Sequence, residues 1–228
     1  MDRTETSKFL DLIIKELKKK ANQKNVEGMA RFGINSENTL GVPVYVLREM
    51  AKSYRNNHEL AQLLWKSKIH EARLLAGFID DSNKVTQKQM EDWVVDFNSW
   101  DVCDQVVSNL FDKTPWAYEK AFEWSKRDEE FVKRAGFVMI AALAVHDKSA
   151  NNEKLIKFFP IIKREAKDER NFVRKAVNWA LRQIGKRNHE LNLRAIQLAE
   201  EILEIDSKSA KWIARDALRE LKGKFIEK

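Results

Sequence analysis

The chain has little of three residue types that shape other kinds of fold. A single cysteine, Cys103, stands among 228 residues, which excludes an internal disulfide and a cysteine-based zinc site and is typical of a reducing compartment. Seven glycines and three prolines are too few for a chain built from many hairpins and tight turns. No apolar run approaches the roughly 20 residues that span a bilayer. The amino-terminal stretch also lacks a signal-peptide pattern, so we predict a cytoplasmic (intracellular) protein.

Charge is abundant and unbalanced. Charged residues make up 34% of the chain, and 42 Lys and Arg against 35 Asp and Glu give a net charge of +7. A basic protein of this kind suits a polyanionic partner, with nucleic acid the first candidate, although a generally basic surface would give the same total.

The apolar residues recur at helical spacing along almost the whole chain, and no segment shows the pattern of a strand. Three helical segments resemble one another and come into register at Ala135, Ala176 and Ile213, at intervals of roughly 40 residues, the length of a two-helix HEAT-type unit. The sequence therefore predicts an all-α fold, a right-handed superhelical solenoid of HEAT-like helix pairs with a concave basic groove. The alternative is an irregular helical bundle. The sequence shows no linker or break in composition, so we predict one domain over residues 1–228. Gly185 follows the helical pattern of its segment and is predicted to cap the end of that helix.

The stretch "SWDVCDQVV" raises the first functional question. Helical geometry places Trp100, Cys103, Asp104 and Val107 along one apolar stripe, and Ser99 is predicted to cap the helix. On this pattern Asp101, like Asp112, lies on the opposite, solvated side. A buried carboxylate without partners costs several kcal/mol. Asp104 is therefore predicted either to form a structural ion pair or to face a functional cleft.

Two further residues do not fit a simple core. Arg134 lies at the margin of the apolar stripe of "FVKRAGFVMIAAL", where a nearby carboxylate would be its structural partner. Trp179 has Lys175 and Arg182 as surface neighbours one turn away, which suits either a groove that meets phosphates or simple rim packing. The other tryptophans are predicted to be core residues: Trp65, Trp93, Trp116, Trp124 and Trp212.

Several kinds of catalytic motif are missing from the sequence. It has no glycine-rich phosphate loop, nucleophile elbow or Cys/His cluster, so nucleotide hydrolysis, acyl transfer and metal catalysis lose support. We expect neither a cofactor nor a metal.

At "SWDVCD", "FVKRAGF" and "FVRKAVNWALR" the chain resembles the AlkD-like DNA alkylation-repair glycosylases, which are built from HEAT-like repeats. The resemblance spans most of the chain. It implies that Asp104 is the catalytic carboxylate, that Trp100 and Trp179 flank the lesion, and that Arg134 holds the DNA backbone near the reaction centre. It further implies phosphate contacts from Arg182 and from neighbouring basic residues of the same helices: Lys133, Arg174, Lys175 and Lys186.

The implied activity is hydrolysis of the N-glycosidic bond of cationic N3- or N7-alkylated purines in duplex DNA by a monomer. Two other functions compete with it. One is a catalytically inactive binder of bent or branched DNA, because the family includes members that have lost activity but kept the scaffold. The other is a protein-interaction scaffold, a common use of helical solenoids.

Overall fold

A computed structural model describes residues 3–223, and within that range the chain forms α-helices and one 3-10 turn but no strand. By their internal contacts the residues form two compact units, the first ending at Thr114 and the second beginning at Pro115. The helices of unit 1 are α1 (Arg3–Lys19), α2 (Gln23–Arg31), α3 (Val44–Ala51), α4 (His58–Lys66), α5 (His70–Ile79), α6 (Gln87–Val94) and α7 (Trp100–Asn109), followed by the 3-10 turn Phe111–Lys113. The helices of unit 2 are α8 (Ala117–Trp124), α9 (Glu130–His146), α10 (Asn152–Ile156), α11 (Phe159–Glu165), α12 (Asn171–Gly185), α13 (His189–Leu203) and α14 (Lys208–Leu221).

The predicted all-α class is confirmed. In a repeat array each repeat contacts only its neighbours, so a division into two groups of repeats does not decide between one domain and two. The single domain over residues 1–228 stays a prediction. No described helix is long and apolar enough to cross a membrane.

Unit 2 is organised around α9. This helix is buried on all sides from Val132 to Ala144, which its run of alanines and aliphatic residues allows. It packs against α8 on one side and α12 on another, and α12 in turn packs against α13 and α14. The order α9, α12, α14 is therefore a row of stacked helices.

The hydrogen bonds between successive repeats reveal the repeat length. In unit 2, Asn178 bonds to Asp216, Arg182 to Glu220 and Lys163 to Glu201, each across 38 residues of sequence. This agrees with the predicted interval of roughly 40 residues. In unit 1 the bonds from Trp65 to Asp96 and from His70 to Asp101 each span 31 residues. The repeats of unit 1 are therefore shorter than those of unit 2.

Small residues allow the helices to approach closely, and one of them corrects a prediction. Gly185 is the last residue of α12, and the cap position is taken by Lys186 in a right-handed conformation. A Cβ at Gly185 would lie 2.8 Å from the side chains of both Ala195 and Leu221. The prediction of a capping glycine is wrong, because this position is kept small by the packing of α13 and α14.

Gly136 provides a test of this close packing. A Cβ at this position would lie 2.4 Å from the backbone nitrogen of Ser125, which cannot give way as a side chain can. We expect Gly136→Ala to lower the free energy of unfolding by about 1–3 kcal/mol in denaturant titrations. The matched control is Gly28→Ala in α2, where nothing lies within 4 Å. There the helix propensity of alanine should raise stability by about 0.5–1 kcal/mol. Equal effects of the two substitutions would contradict the packing described.

The tryptophans follow the prediction only in part. Three are buried as predicted, namely Trp65, Trp93 and Trp124. Trp116 is half-buried, and Trp212 is 37% exposed on α14. The prediction of a core position is wrong for these two. Trp212 is covered partly by the guanidinium of Arg174, at 5.1 Å from the ring centre, rather than by an apolar neighbour.

Candidate functional site

Helix α7 carries the first two candidate residues, and its buried side differs from the predicted stripe. Cys103 and Val107 of that stripe are fully buried as predicted, but Val102 and Val106 are fully buried as well, and α5 packs against the helix. Gly77 of α5 allows this approach, since a Cβ there would lie 3.0 Å from Val106. Because α5 packs on this side, the apolar side of α7 is turned away from Trp100 and Asp104.

Trp100 and Asp104 are both half-buried, one turn apart on the same side of α7. The prediction that Asp104 lies in the apolar stripe is therefore wrong. The residue is only half-buried, so its place in the helix does not carry the full cost of burying a carboxylate. A half-exposed carboxylate beside an indole ring is suited to meeting a ligand.

Asp101 occupies the buried position that was expected of Asp104. It is only 7% exposed, where the sequence pattern predicted a solvated side chain. One carboxylate oxygen lies 2.8 Å from Nε2 of His70, and the other accepts a hydrogen bond of 2.6 Å from the Ser99 hydroxyl and one from the Val102 backbone N–H. The same error applies to Asp112, which is also buried. Asp101 thus uses its burial to fix the first turn of α7 in unit 1.

These contacts also determine the ionisation of Asp101. Burial would raise the pKa of its carboxyl group, but the hydrogen bonds from His70 and Ser99 hold the pKa below its ordinary value. Ser99 occupies the capping position of α7 without making a capping hydrogen bond, since its hydroxyl is donated to Asp101. The result is a carboxylate that links α5 to the first turn of α7.

A backbone carbonyl group holds the indole ring of Trp100 in place. Its indole N–H donates a hydrogen bond of 3.0 Å to the carbonyl oxygen of Phe32, just after α2. The ring lines a largely apolar pocket of 780 Å³, whose described lining includes Phe32, Val42 and Asp101 but not Asp104. Trp100 is therefore fixed in orientation while one part of it faces open space.

The loop that contributes Gly41 and Val42 to the lining of this pocket is held by a buried acidic side chain. Glu71 of α5 is fully buried and accepts hydrogen bonds from the backbone N–H groups of Leu40, Gly41 and Val42, the shortest being 2.6 Å from Gly41. Three backbone donors thus hold this carboxyl group in place. Neither Glu71 nor His70 was predicted as a site residue, since their partners lie far away in the sequence.

Arg134 and Lys133 lie inside unit 2. Arg134 is 6% exposed and donates a hydrogen bond of 2.6 Å to the carbonyl oxygen of Phe172 at the start of α12. Lys133 is 7% exposed, and its ammonium lies 2.6 Å from Glu165 and 3.7 Å from Asp168. Because α9 is buried on all sides, both cations serve the contact between neighbouring helices. A position for Lys133 on a DNA-binding surface is not what the structure shows.

The remaining basic candidates lie on or beside α12. Trp179 is half-buried and Lys175 is exposed. Arg182 forms an ion pair of 2.6 Å with Glu220, and Lys186 approaches the same carboxylate at 2.8 Å. Burial tends to raise the pKa of Glu220, but these two cations hold the pKa below its ordinary value. Two of the predicted phosphate contacts therefore already share an acidic partner on α14.

The candidate residues are divided between the two units. Trp100 and Asp104 belong to unit 1, whereas Arg134 and Trp179 belong to unit 2. Their convergence on one concave surface stays a prediction. Among the described residues, no group of three or more His, Cys, Asp and Glu side chains is arranged to hold a metal ion.

The arrangement of stacked helix pairs matches a known class of protein. A solved structure described as a new family of proteins related to the HEAT-like repeat DNA glycosylases, with affinity for branched DNA structures, superimposes with a TM-score of 0.77 at 19% identity. The match covers 95% of this chain and 98% of that one, and it establishes the HEAT-like repeat fold. Two further solved structures are more distant. An engineered protein has a TM-score of 0.41 at 14% identity, and the match covers 88% of this chain and 99% of that one. A designed armadillo repeat protein has a TM-score of 0.36 at 18% identity, and the match covers 77% of this chain and 91% of that one.

The sequence itself gives the more specific relationship. The model of the DNA alkylation repair enzyme family matches residues 13–221, nearly the whole chain. The chain belongs to this DNA alkylation repair enzyme family. A comparison with curated proteins gives no match.

Proposed function

We propose that the protein is a DNA glycosylase that removes cationic N3- and N7-alkylated purines from duplex DNA. The observation that carries the proposal is the pair formed by Trp100 and Asp104, half-buried and one turn apart on α7, in a chain of the DNA alkylation repair family. Asp104 is the only one of the two acids in the first turns of α7 with solvent access, since Asp101 is buried.

The chemistry requires little more than a fixed carboxylate. Alkylation at N3 or N7 gives the purine a positive charge, so the base leaves as a neutral species once the electron pair of the bond between C1′ and N9 moves onto it. Positive charge then develops on the deoxyribose, and the Asp104 carboxylate stabilises it. Water adds to C1′, and Asp104 positions this water and accepts its hydrogen bond as the proton departs to solvent. No general acid is needed.

The tryptophans supply surfaces for the same cationic sugar. The faces of Trp100 and Trp179 attract cations and polarised C–H groups, by roughly 0.5–2 kcal/mol for a cation over the ring. The hydrogen bond from the Trp100 indole to the Phe32 carbonyl, of 3.0 Å, fixes the ring without using its face. A ring held in this way loses little freedom on meeting the substrate.

Arg134 enters the proposal as a positioning residue. Its hydrogen bond to Phe172 ties α9 to the first turn of α12, the helix that carries Trp179 and Lys175. Lys175, Arg182 and Lys186 are the proposed phosphate contacts of this helix.

Glu220 gives a way to test those phosphate contacts. If Arg182 and Lys186 reach phosphates, they must leave Glu220, so Glu220→Gln should raise the affinity for duplex DNA. The same phosphates are contacted by wild type and variant, so the slope of log K against log salt should stay close to the wild-type value while the affinity rises. The control is Glu201→Gln, whose partner Lys163 lies on α11 at 2.7 Å. A titration in which both variants bind DNA with the wild-type affinity would remove Arg182 and Lys186 from the proposed interface.

A second candidate function is binding of branched DNA without base removal. The related solved structure is described as having affinity for branched DNA, and it shares the fold over almost its full length. The burial of Arg134 and Lys133 also fits a protein that has kept its scaffold. On this function the chain would bind a four-way junction more tightly than duplex and would release no base from alkylated DNA.

The two candidates are separated by measuring both properties on the same preparation. We expect free alkylpurine to accumulate from methylated duplex DNA, and a junction to compete for binding no better than an equal length of duplex. Tight junction binding together with no released base would establish the second candidate and contradict the first.

A further inference from the structure

The outer face of α14 combines an exposed tryptophan with several cations. Trp212 is 37% exposed and lies in a recess of 480 Å³. The other residues lining the recess are Lys208, Lys211, Arg215, Asp216 and Arg219. Together with Arg174 of α12, which covers part of the Trp212 ring, these residues form what we call the α14 patch.

The patch carries five cations and one carboxylate, and that carboxylate is already engaged. Asp216 accepts a hydrogen bond of 2.7 Å from Asn178 and forms an ion pair with Arg219. Arg215 is exposed and forms no ion pair with any residue in the range 3–223. Outside the recess, Asp206 pairs with Lys211 at 3.0 Å and Glu169 lies near Arg174 and Lys208. The five cations therefore still outnumber the acids around them, and Arg215 carries positive charge that no ion pair of the described chain neutralises, as a polyanion-binding surface requires.

The patch is built on a rigid base. The opposite side of α14 is fully buried through Ile213, Ala214 and Ala217, and α14 packs against α12 and α13. Arg174 is held beside the ring by a hydrogen bond of 3.2 Å to Asn171. The indole is thus a fixed platform bordered by cations, which is the arrangement that binds single-stranded nucleic acid.

We propose that the α14 patch binds an unpaired stretch of DNA, with a base stacked on Trp212 and adjacent phosphates on Arg215 and its basic neighbours. The assignment rests on the proposed function only in taking DNA as the partner, and it does not require base removal. Base faces are covered by their neighbours inside a duplex, so an exposed indole gains most from unstacked bases. An acidic protein segment would engage the cations but would leave the indole without a role.

The test uses a labelled oligothymidine, which stays single-stranded, and fluorescence anisotropy. Trp212→Ala should weaken its binding about 10-fold, whereas Trp212→Phe, which keeps an aromatic face, should retain most of the affinity. The control for loss of an exposed aromatic residue is Tyr45→Ala in α3, 74% exposed and in unit 1.

Arg215→Ala should reduce the salt slope by about 0.7, the value for one contact with a single strand. Arg194→Ala, which removes one charge from α13, should not.

Two results would overturn the assignment. One is oligothymidine binding that is unchanged in Trp212→Ala. The other is tighter binding of a polyglutamate peptide than of oligothymidine, with no dependence on Trp212. Base removal is measured separately on blunt methylated duplex: Trp212→Ala should keep it, and Asp104→Asn should lose it while still binding oligothymidine. The two proposals therefore fail in distinguishable ways. If the patch assignment is wrong, oligothymidine binding does not depend on Trp212; if the glycosylase proposal is wrong, the methylated duplex releases no base.

Discussion

Replacing Asp104 by asparagine is expected to lower the rate of base release from methylated duplex DNA by about 100- to 1,000-fold, the usual effect of removing one electrostatic group from a transition state. The amide keeps the shape of the side chain but loses the negative charge that stabilises the deoxyribose cation. Asp104 is half-buried rather than part of the core, so the melting temperature should change little. The measurement is single-turnover release of alkylpurine from methylated duplex.

The control for Asp104→Asn is Asp92→Asn, which removes an equal charge from an exposed position on α6, where the carboxylate pairs with Lys88. This variant should release base at the wild-type rate. Equal rates for wild type and Asp104→Asn would exclude the carboxylate from the chemistry.

Replacing Asp101 by alanine is expected to be the most destabilising of the substitutions considered, by about 3–5 kcal/mol, because it leaves buried partners unpaired. His70, 4% exposed, would lose its partner at 2.8 Å, and the Ser99 hydroxyl would lose its acceptor. Urea titration of this variant measures the effect. Asp92→Ala, which breaks only an exposed ion pair, should change stability by less than about 1 kcal/mol. A loss as small for Asp101→Ala as for Asp92→Ala would contradict the buried link described for α7.

The contribution of Asp101 to the free energy of unfolding should also depend on pH. Its pKa is lower in the folded chain than in the unfolded chain, because the hydrogen bonds from His70 and Ser99 outweigh the effect of burial. The stabilisation is therefore fully present above the unfolded pKa of about 3.9. It is lost as the pH falls below that value and through the lower folded pKa. The difference in stability between wild type and Asp101→Ala should accordingly shrink in strongly acidic solution, which titrations at several pH values would show.

The fold was predictable because its signals are local. Apolar residues at helical spacing, few glycines and prolines, and an interval of roughly 40 residues between similar helices indicate a HEAT-like repeat without any knowledge of distant contacts. The bonds across 38 residues in unit 2 confirm that interval. The shorter register of unit 1, seen in the pair His70 and Asp101, could not be predicted, because it depends on contacts between helices rather than on similarity within them.

The surroundings of the candidate site residues could be predicted only in part, because they too depend on contacts between helices. Helical periodicity gives the angle between residues, but it does not say which direction a neighbouring helix comes from. Because α5 packs on the side of Val102 and Val106, Asp101 is buried and Asp104 is half-exposed, the reverse of the predicted order. Asp104 was first singled out because the pattern placed it in the apolar stripe, which is wrong. Its proposed role as the catalytic carboxylate came from the family resemblance and does not depend on that burial.

The basic residues show a second limit of sequence patterns. The family resemblance implied a phosphate contact for Lys133, and the apolar pattern of its own helix placed Trp212 in the core. In the structure Lys133 pairs with Glu165 of α11 inside unit 2, and Trp212 lies at the surface beneath Arg174 of α12. Both outcomes depend on the adjacent repeat, which a single helix does not specify.

The most direct test of the proposed function uses wild-type protein and a duplex with one 7-methylguanine. Formation of the abasic site is followed with protein in excess, beside a buffer-only reaction that measures spontaneous loss of the base. We expect loss of the methylated base well above that background, with an unmodified guanine at the same position left intact. A duplex that is fully bound yet loses its 7-methylguanine only at the spontaneous rate would contradict the proposal.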